Sequence, residues 1–376
     1  MTATLSIAGV TPRAMLTPAD RVELASIVRD LYAAGRTFAF AGGGTELELG
    51  NPPRELDTVV RTTGLARVID YSPEDQTITV EAGMRIAALD AVLAQHDQVL
   101  PIDVGDRQNA TIGGAIATNA FGARRHRYGS IKDLIVGIEI VRPDGVTARG
   151  GGKVVKNVAG FDLPKLMVGS LGTLAGIASA TFRVFPKPER TQAVIVRTAP
   201  ESALYAALMA DRSLDPVAVA HYPALGGFVL TFAGLPAAVE QQLAHAGALA
   251  TTHGVAIEAL GNAEIERSAA IESAVRTSGD WRWTTRTSAP PRVPLALEVR
   301  YPTLGVTLAS ADDDAPLENL VAQRGTAVVF RAMPPRARGR IDAWGEPPPA
   351  FPLMRALKNN FDPKGLCNPG RFVGGL

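Results

Sequence analysis

Apolar residues recur at helical spacing early in the chain: Leu24, Ile27, Val28 and Leu31 follow Thr17-Pro18-Ala19-Asp20 and stop before Gly35. The pattern predicts one amphipathic helix, with Thr17 as cap, Pro18 at its first position, Asp20 as the capping-box acid and Gly35 as its end. A short apolar strand over 37–41 then runs directly into Gly42-Gly43-Gly44-Thr45. Beyond residue 58 the texture changes. Residues 66–71 and 77–82 read as antiparallel strands joined by the turn-forming Ser72-Pro73-Glu74-Asp75, and 84–95 reads as a helix with Ile86, Leu89, Ala91 and Leu93 on its apolar side. Near Pro186-Lys187-Pro188 the pattern changes again. Between 192 and 345, β-like runs (193–196, 217–221, 228–232, 295–301, 327–331) alternate with Ala-rich helical runs (202–210, 236–250, 263–275), which predicts an α+β domain with an antiparallel sheet. Pro347-Pro348-Pro349 marks a linker before a last segment, and no internal repeat is visible.

Composition narrows the classes. The 376 residues carry 38 Lys+Arg against 37 Asp+Glu, a net charge of +1, so there is no global electrostatic footprint for nucleic acid or an anionic membrane. Cys367 is the only cysteine, which excludes an intrachain disulfide, a Cys-rich zinc site and an iron–sulfur cluster. The 46% hydrophobic fraction predicts two or three domains with real cores. No apolar run approaches the ~18 residues of a transmembrane helix, and the start lacks a signal-peptide pattern. The expectation is a cytoplasmic protein, with peripheral attachment to the inner face of a membrane only through partners. Glycine, at 37 residues, exceeds its usual share of roughly 7%, so its placement matters.

Four stretches concentrate the glycines and polar groups. Gly42-Gly43-Gly44-Thr45 follows a strand and can expose consecutive backbone N–H groups to a phosphate, and it equally fits an ordinary tight turn. It is neither a Walker A loop nor a dinucleotide fingerprint, because no Gly-Lys-Ser/Thr follows and Leu47 stands where the third glycine belongs. The second stretch runs Pro101-Ile102-Asp103-Val104-Gly105 and then from Thr111 to Gly122, almost wholly small residues with Thr111, Thr118 and Asn119 interleaved. Such a surface lets backbone lie against a flat or extended ligand, and a helix starting at Gly113-Gly114 would turn its positive end to a pyrophosphate. Close packing of two segments would explain the small residues but not the polar ones. Arg124-Arg125-His126-Arg127 reads as a solvated face, or as cations that neutralise a ligand or an acidic partner. The fourth stretch runs from Gly150-Gly151-Gly152-Lys153 through Gly160-Phe161-Asp162-Leu163 to Gly169-Ser170-Leu171-Gly172-Thr173 and Gly176-Ile177, a long irregular segment of the kind that carries function.

Those stretches, in that order and followed by Phe361-Asp362-Pro363-Lys364-Gly365-Leu366-Cys367-Asn368-Pro369-Gly370, resemble the FAD-binding family of vanillyl-alcohol oxidase and p-cresol methylhydroxylase (PCMH) type. Within it the sequence most resembles the smaller of the flavin subunits of bacterial glycolate oxidases, also called glycolate dehydrogenases. The likeness is strong over about 15–190 and good over 351–376, and rests on length and outline between them. It implies an α+β fold with a two-subdomain PCMH-type FAD-binding domain (1–58 and 59–190), a small antiparallel-sheet α+β cap (191–345) and a C-terminal segment (346–376) that returns to the FAD domain.

By the same resemblance, Gly42, Gly43, Gly44 and Thr45 form the pyrophosphate loop. Thr111, Ile112, Gly113, Gly114, Ala117 and Asn119 run along the pyrophosphate and flavin, with Pro101 and Gly105 ahead of them. Gly122 and Gly129 make the following turns, Ile177 meets the adenine or a nearby flavin edge, and Asn368 closes the pocket. Relatives often attach flavin covalently through a His after the glycines or a Cys in the second subdomain. Here Glu46 and Leu47 follow the glycines and no Cys precedes Cys367, so FAD is expected to be noncovalent and Cys367 a structural thiol.

The departure concerns catalysis. The hydroxyacid dehydrogenases of this family carry a late His-x-Gly-Asp-Gly-Asn-x-His motif, and the nearest fragment here is His253-Gly254-Val255. His221, His245 and His253 lack metal-ligand spacing and read as structural or exposed, no metal is expected, and no catalytic base is identified. Arg300 and Arg331 are the candidate cations for a substrate carboxylate. The expected function is an FAD-bearing, supporting or electron-relaying subunit that helps oxidise glycolate, a small 2-hydroxyacid, to glyoxylate. It would act beside a larger catalytic flavin subunit and an iron–sulfur subunit, without nucleic acid. The alternatives are a stand-alone FAD-dependent dehydrogenase for a 2-hydroxyacid such as D-lactate or another alcohol, and a scaffold subunit that has lost FAD.

Overall fold

The computed structural model describes residues 5–152, 162–199, 202–286, 297–312 and 328–376. The early periodicity becomes the helix Arg21–Ala33, which buries Leu24, Val28 and Leu31. Its cap is Asp20 rather than Thr17: the Asp20 carboxylate accepts from the N–H groups of both Val22 and Glu23 at 2.8 Å. A charged acceptor reaching two free helix donors outcompetes a hydroxyl three residues upstream. Gly35, in the left-handed region at φ 68°, ends the helix. This helix packs on a three-stranded parallel sheet in the order Ala14–Leu16, Thr58–Arg61, Phe38–Ala41.

A five-stranded antiparallel sheet follows, ordered Val68–Ser72, Thr77–Glu81, Gly176–Arg183, Ile135–Val141, Thr147–Gly151. The helices Ile86–Ala94 and Ile112–Thr118 pack against it through Ile86, Leu89, Ile112 and Ile116. Arg21 links the first helix to this sheet by pairing with Glu139 at 2.7 Å.

The alternating region forms one eight-stranded antiparallel sheet, ordered Ile257–Ala259, Arg190–Val196, Gly227–Gly234, Ala218–Tyr222, Leu297–Tyr301, Val306–Ala311, Trp281–Arg286, Val328–Ala332. Its central strands Gly227–Gly234 and Ala218–Tyr222 read as near-continuous apolar runs because both faces are covered. Val194 and Val196 face the helices Ala203–Ala210 and Pro236–Thr252, whereas Ile195 faces the helix Asn262–Thr277. Phe121 and Ala123, from the glycine-rich region, pack on that second face, so the cap sheet docks on the cofactor-side domain.

The last helix, Phe351–Phe361, leads into a segment that joins the first sheet as backbone. Phe38 N–H donates to Leu366 O, Asn368 N–H donates to Phe38 O, and Phe38 and Cys367 form a parallel bridge. Lys358, almost fully buried, secures this return by donating to Thr173 O (2.7 Å), Asp362 (2.6 Å) and Cys367 O (2.8 Å).

Candidate functional site

A cleft lies where the two N-terminal sheets, the cap helix Asn262–Thr277 and the returning C-terminus meet. Of the residues singled out from sequence, it brings together Gly42, Gly43, Gly44, Thr45, Gly105, Thr111, Gly113, Gly114, Ala117, Ile177 and Asn368. Pro101, Ile112, Asn119, Gly122 and Gly129 do not line it. Ile112 is fully buried and holds Met84 O through its N–H. Pro101, Gly122 and Gly129 surround a small separate cavity, where Asp103 pairs with Arg124 at 2.6 Å. Asn119 ends its helix in the left-handed region and faces a neighbouring cavity.

The glycine loop is shaped by close approach of backbone. A Cβ at Gly42 would overlap the Thr111 hydroxyl, and one at Gly43 would overlap the Asn109 carbonyl and lie 2.6 Å from its carbon. The opposing turn is itself fixed: Asp106 Oδ1 accepts from Gln108 and Asn109 N–H, and its carbonyl accepts from Ala110 N–H. Two rigid loops can therefore meet only because glycine stands at both positions. With the loop held this way, the N–H groups of Gly42, Gly43, Gly44 and Thr45 donate to no acceptor among the described residues. Four consecutive unpaired donors on a cleft wall are a site for an anion.

The short helix Ile112–Thr118 behaves differently from the expectation that its positive end faces a pyrophosphate. It starts at Ile112, and its first N–H groups are already taken: Ile112 by Met84 O, Gly113 by Ala82 O and Gly114 by Thr111 Oγ1. Gly113 is required by packing, since a Cβ there would lie 2.9 Å from that of Ala82. This segment offers a flat small-residue wall, not donors.

Two further lining residues, Arg371 and Arg276, carry no local signal in the sequence. Arg371 is buried, donates to the carbonyls of Asn51, Leu47 and Leu49, and has no carboxylate partner among the described residues. Burial without a counter-ion pulls its guanidinium down to about 10. Arg276, from the cap, donates to Phe121 O and Tyr301 Oη at 2.9 Å and lies against Gly105. Behind it, Glu272 accepts hydrogen bonds from Tyr222, Tyr301 and Arg276. Desolvation and this carboxylate push both tyrosines well above their ordinary range. Glu46 pairs with Arg331 at 2.8 Å, tying the glycine loop to the cap. Asn368, in the left-handed region, donates to Leu171 O while its buried Oδ1 accepts nothing.

The remaining sequence candidates lie elsewhere. Arg300 pairs with Glu298 at 2.6 Å, His245 with Asp211 at 2.7 Å, and His221 packs on Phe228. His253 caps a helix end away from the cleft. The basic run does not form one face: Arg124 holds Asp103, Arg127 holds Asp215 at 3.1 Å, and burial lowers His126. Residues 153–161, in the fourth glycine-rich stretch, lie outside the described residues. Among the described residues no cluster of three His, Cys, Asp or Glu could hold a metal, and no helix is long and apolar enough to cross a membrane. Cys367 is fully buried, donates to Gly172 O, and burial pushes its thiol up to about 12.

Residues 12–151 match the family described as FAD binding domain. The chain is 32% identical over 185 residues to a D-2-hydroxyglutarate dehydrogenase of Xanthomonas citri pv. viticola, covering 49% of this chain and 39% of that protein. It is 37% identical over 122 residues to the glycolate oxidase subunit GlcE of Escherichia coli K12, covering 32% of this chain and 35% of that protein. Among solved structures, an alkyldihydroxyacetonephosphate synthase aligns over 94% of this chain and 75% of its own, with a TM-score of 0.67 at 17% identity, a likeness of fold.

Proposed function

We propose that the chain, whose residues 12–151 match the FAD binding domain family, is the FAD-bearing subunit of an assembly that oxidises a 2-hydroxyacid. Its role is supporting or electron-relaying, beside a larger catalytic flavin subunit and an iron–sulfur subunit, and glycolate-to-glyoxylate is the reference reaction. The observation that carries the cofactor assignment is the row of four unpaired N–H groups at Gly42–Thr45 on the cleft wall. When bound, FAD would supply the acceptor for one hydride equivalent, that is two electrons with a proton, from a hydroxyl-bearing carbon.

The chain's own residues bind and orient. The glycine-loop donors would hold the anionic oxygens, Arg371 adds buried positive charge without a counter-ion, and Asn368 offers an unused acceptor. The small residues Gly113, Gly114, Ala115 and Ala117 on the cleft wall leave room for a flat ring system. Attachment is noncovalent, because Glu46 follows the glycines and Cys367 is buried against Gly172.

The supporting role is favoured by the absence of any histidine among the residues lining the cleft. Glu272, which meets the cleft through Arg276, already accepts from two tyrosines and that arginine, so it is poorly placed as a free base. Similarity to a protein named as a glycolate oxidase subunit favours an assembly, with cytoplasmic location and membrane contact only through partners. Similarity to a D-2-hydroxyglutarate dehydrogenase favours the second reading, a stand-alone dehydrogenase. The two part under one experiment. The purified chain, alone and co-expressed with its partners, is mixed anaerobically with glycolate and D-lactate while flavin absorbance is followed. Rapid bleaching only in the assembly supports the subunit reading, whereas full turnover by the isolated monomer overturns it.

A further inference from the structure

We propose that the cavity beside the cofactor cleft is a chamber for a hydroxy-carboxylate with an apolar body, and that Arg125 reads its carboxylate. The inference rests on the 2-hydroxyacid part of the functional reading and departs from glycolate. It concerns binding, so it holds whichever flavin of the assembly receives the electrons.

The chamber meets the cofactor cleft at Thr118 and Leu171, which line both. Val306 and Val329 from cap strands, with Trp344 and Phe372 packed edge to face at 4.7 Å between centroids, give it an apolar patch beside the hydroxyl-bearing Thr284 and Thr285. A two-carbon acid would leave that patch facing water. An aliphatic or aromatic substituent would cover it, and each methylene buried favours binding about fourfold.

Two cations reach the chamber and they are not equivalent. Arg331 is neutralised by Glu46, and its guanidinium also lies over the Phe121 ring. Arg125 lines the chamber and makes no ion pair among the described residues. Asn119 also lines the chamber, held in the left-handed region by its helix end, with its Oδ1 shut off from the open space. A cation with no ion pair among the described residues, the hydroxyl-bearing Thr118 and Thr284, and apolar side chains on one chamber match a carboxylate beside a hydroxyl on an apolar carbon chain.

The test uses the FAD-loaded chain, with binding read by perturbation of the oxidised flavin spectrum and by calorimetry. The probes are D-3-phenyllactate, glycolate and 3-phenylpropionate, which lacks the hydroxyl. D-3-phenyllactate is expected to bind at least about tenfold tighter than glycolate, and tighter than 3-phenylpropionate. Arg125→Met should weaken D-3-phenyllactate by about tenfold or more while Arg125→Lys retains part of the affinity, and neither should change the Kd for FAD. Val329→Trp should weaken D-3-phenyllactate and spare glycolate. The proposal is overturned if glycolate binds as tightly as D-3-phenyllactate or if Arg125→Met leaves its Kd within twofold. It is also overturned if Arg125→Met weakens FAD by the same factor, which would give the chamber to the cofactor. Failure of every 2-hydroxyacid to reduce the flavin of the co-expressed assembly would instead sink the functional reading, since ligand binding to this chain is measured without turnover.

Discussion

Gly43→Ala perturbs the cofactor loop with the smallest side chain that can be added. Its Cβ would lie 2.6 Å from the Asn109 carbonyl carbon, about 1 Å short of an ordinary carbon–carbon contact of ~3.5–4.0 Å. The Asn109 turn cannot retreat cheaply, because Asp106 holds both Asn109 N–H (3.1 Å) and Ala110 N–H (2.8 Å) and Ala110 O accepts from Ile86 N–H (2.9 Å). The glycine loop must therefore move. Overpacking of this kind costs about 1–3 kcal/mol of stability. Displacement by ~1 Å also takes the loop's N–H groups out of hydrogen-bond reach of an anion. Charge-assisted bonds contribute about 1.5–3 kcal/mol each, so losing two of four weakens FAD by about 3 kcal/mol or more, roughly 100-fold. The assay is titration of apoprotein with FAD by flavin fluorescence, alongside urea unfolding of the apoprotein to separate affinity from folding. Gly247→Ala is the control: it lies within the helix Pro236–Thr252 with no atom within 4 Å of the new Cβ, and should stabilise by about 0.5–1 kcal/mol with unchanged FAD affinity. A Gly43→Ala protein that binds FAD within threefold of the parent would refute the geometry.

Lys358→Met leaves the buried Asp362 carboxylate without its cation; urea unfolding should show a loss of about 3–5 kcal/mol, and a loss under 1 kcal/mol would mean the C-terminal return is secured otherwise. FAD should also bind more weakly, because Asn368 and Arg371 follow on the same segment. Asp211 sits at about 2 rather than 3.8, lowered by its hydrogen bonds from Ser213 and His245. A depressed carboxylate contributes stability above its unfolded value and loses it as pH falls through the folded one, so urea midpoints should drop between pH 4 and 2 and Asp211→Asn should flatten that limb. A native thiol assay should leave Cys367 unreacted at pH 8, with full reaction only after unfolding, because the thiol is buried and raised to about 12; rapid native labelling would contradict this.

The parts of the fold visible in the sequence are those whose signal is local. Leu24, Val28 and Leu31 announce their helix because three buried positions fall on one face, and Gly42-Gly43-Gly44 after a strand point to a loop of free N–H groups or a tight turn, whose close approach to Thr111 and Asn109 only the folded backbone shows. Two cap strands carry no such signal. Val306–Ala311 is a run of small and hydroxyl-bearing residues, and Trp281–Arg286 mixes arginines with its tryptophans. Both become strands through pairing with each other, in register from Trp281–Ala311 to Arg286–Val306, a non-local term that propensity does not hold. The same limit applies to the site. Arg276 reaches the cleft from a cap helix and Arg371 from the C-terminus, so neither carries a neighbouring motif. The small-residue stretch suggested donors at Gly113 and Gly114, yet those N–H groups are consumed by Ala82 and Thr111, which only the folded backbone reveals.

The central claim is that the cleft built on Gly42–Thr45 holds one dissociable FAD. The most direct measurement is the flavin absorbance and stoichiometry of freshly purified protein, before and after acid precipitation. The account predicts close to one FAD per chain, released wholly into the supernatant, with apoprotein that rebinds it. Flavin retained on the precipitated polypeptide, or apoprotein that takes up no FAD, would contradict it.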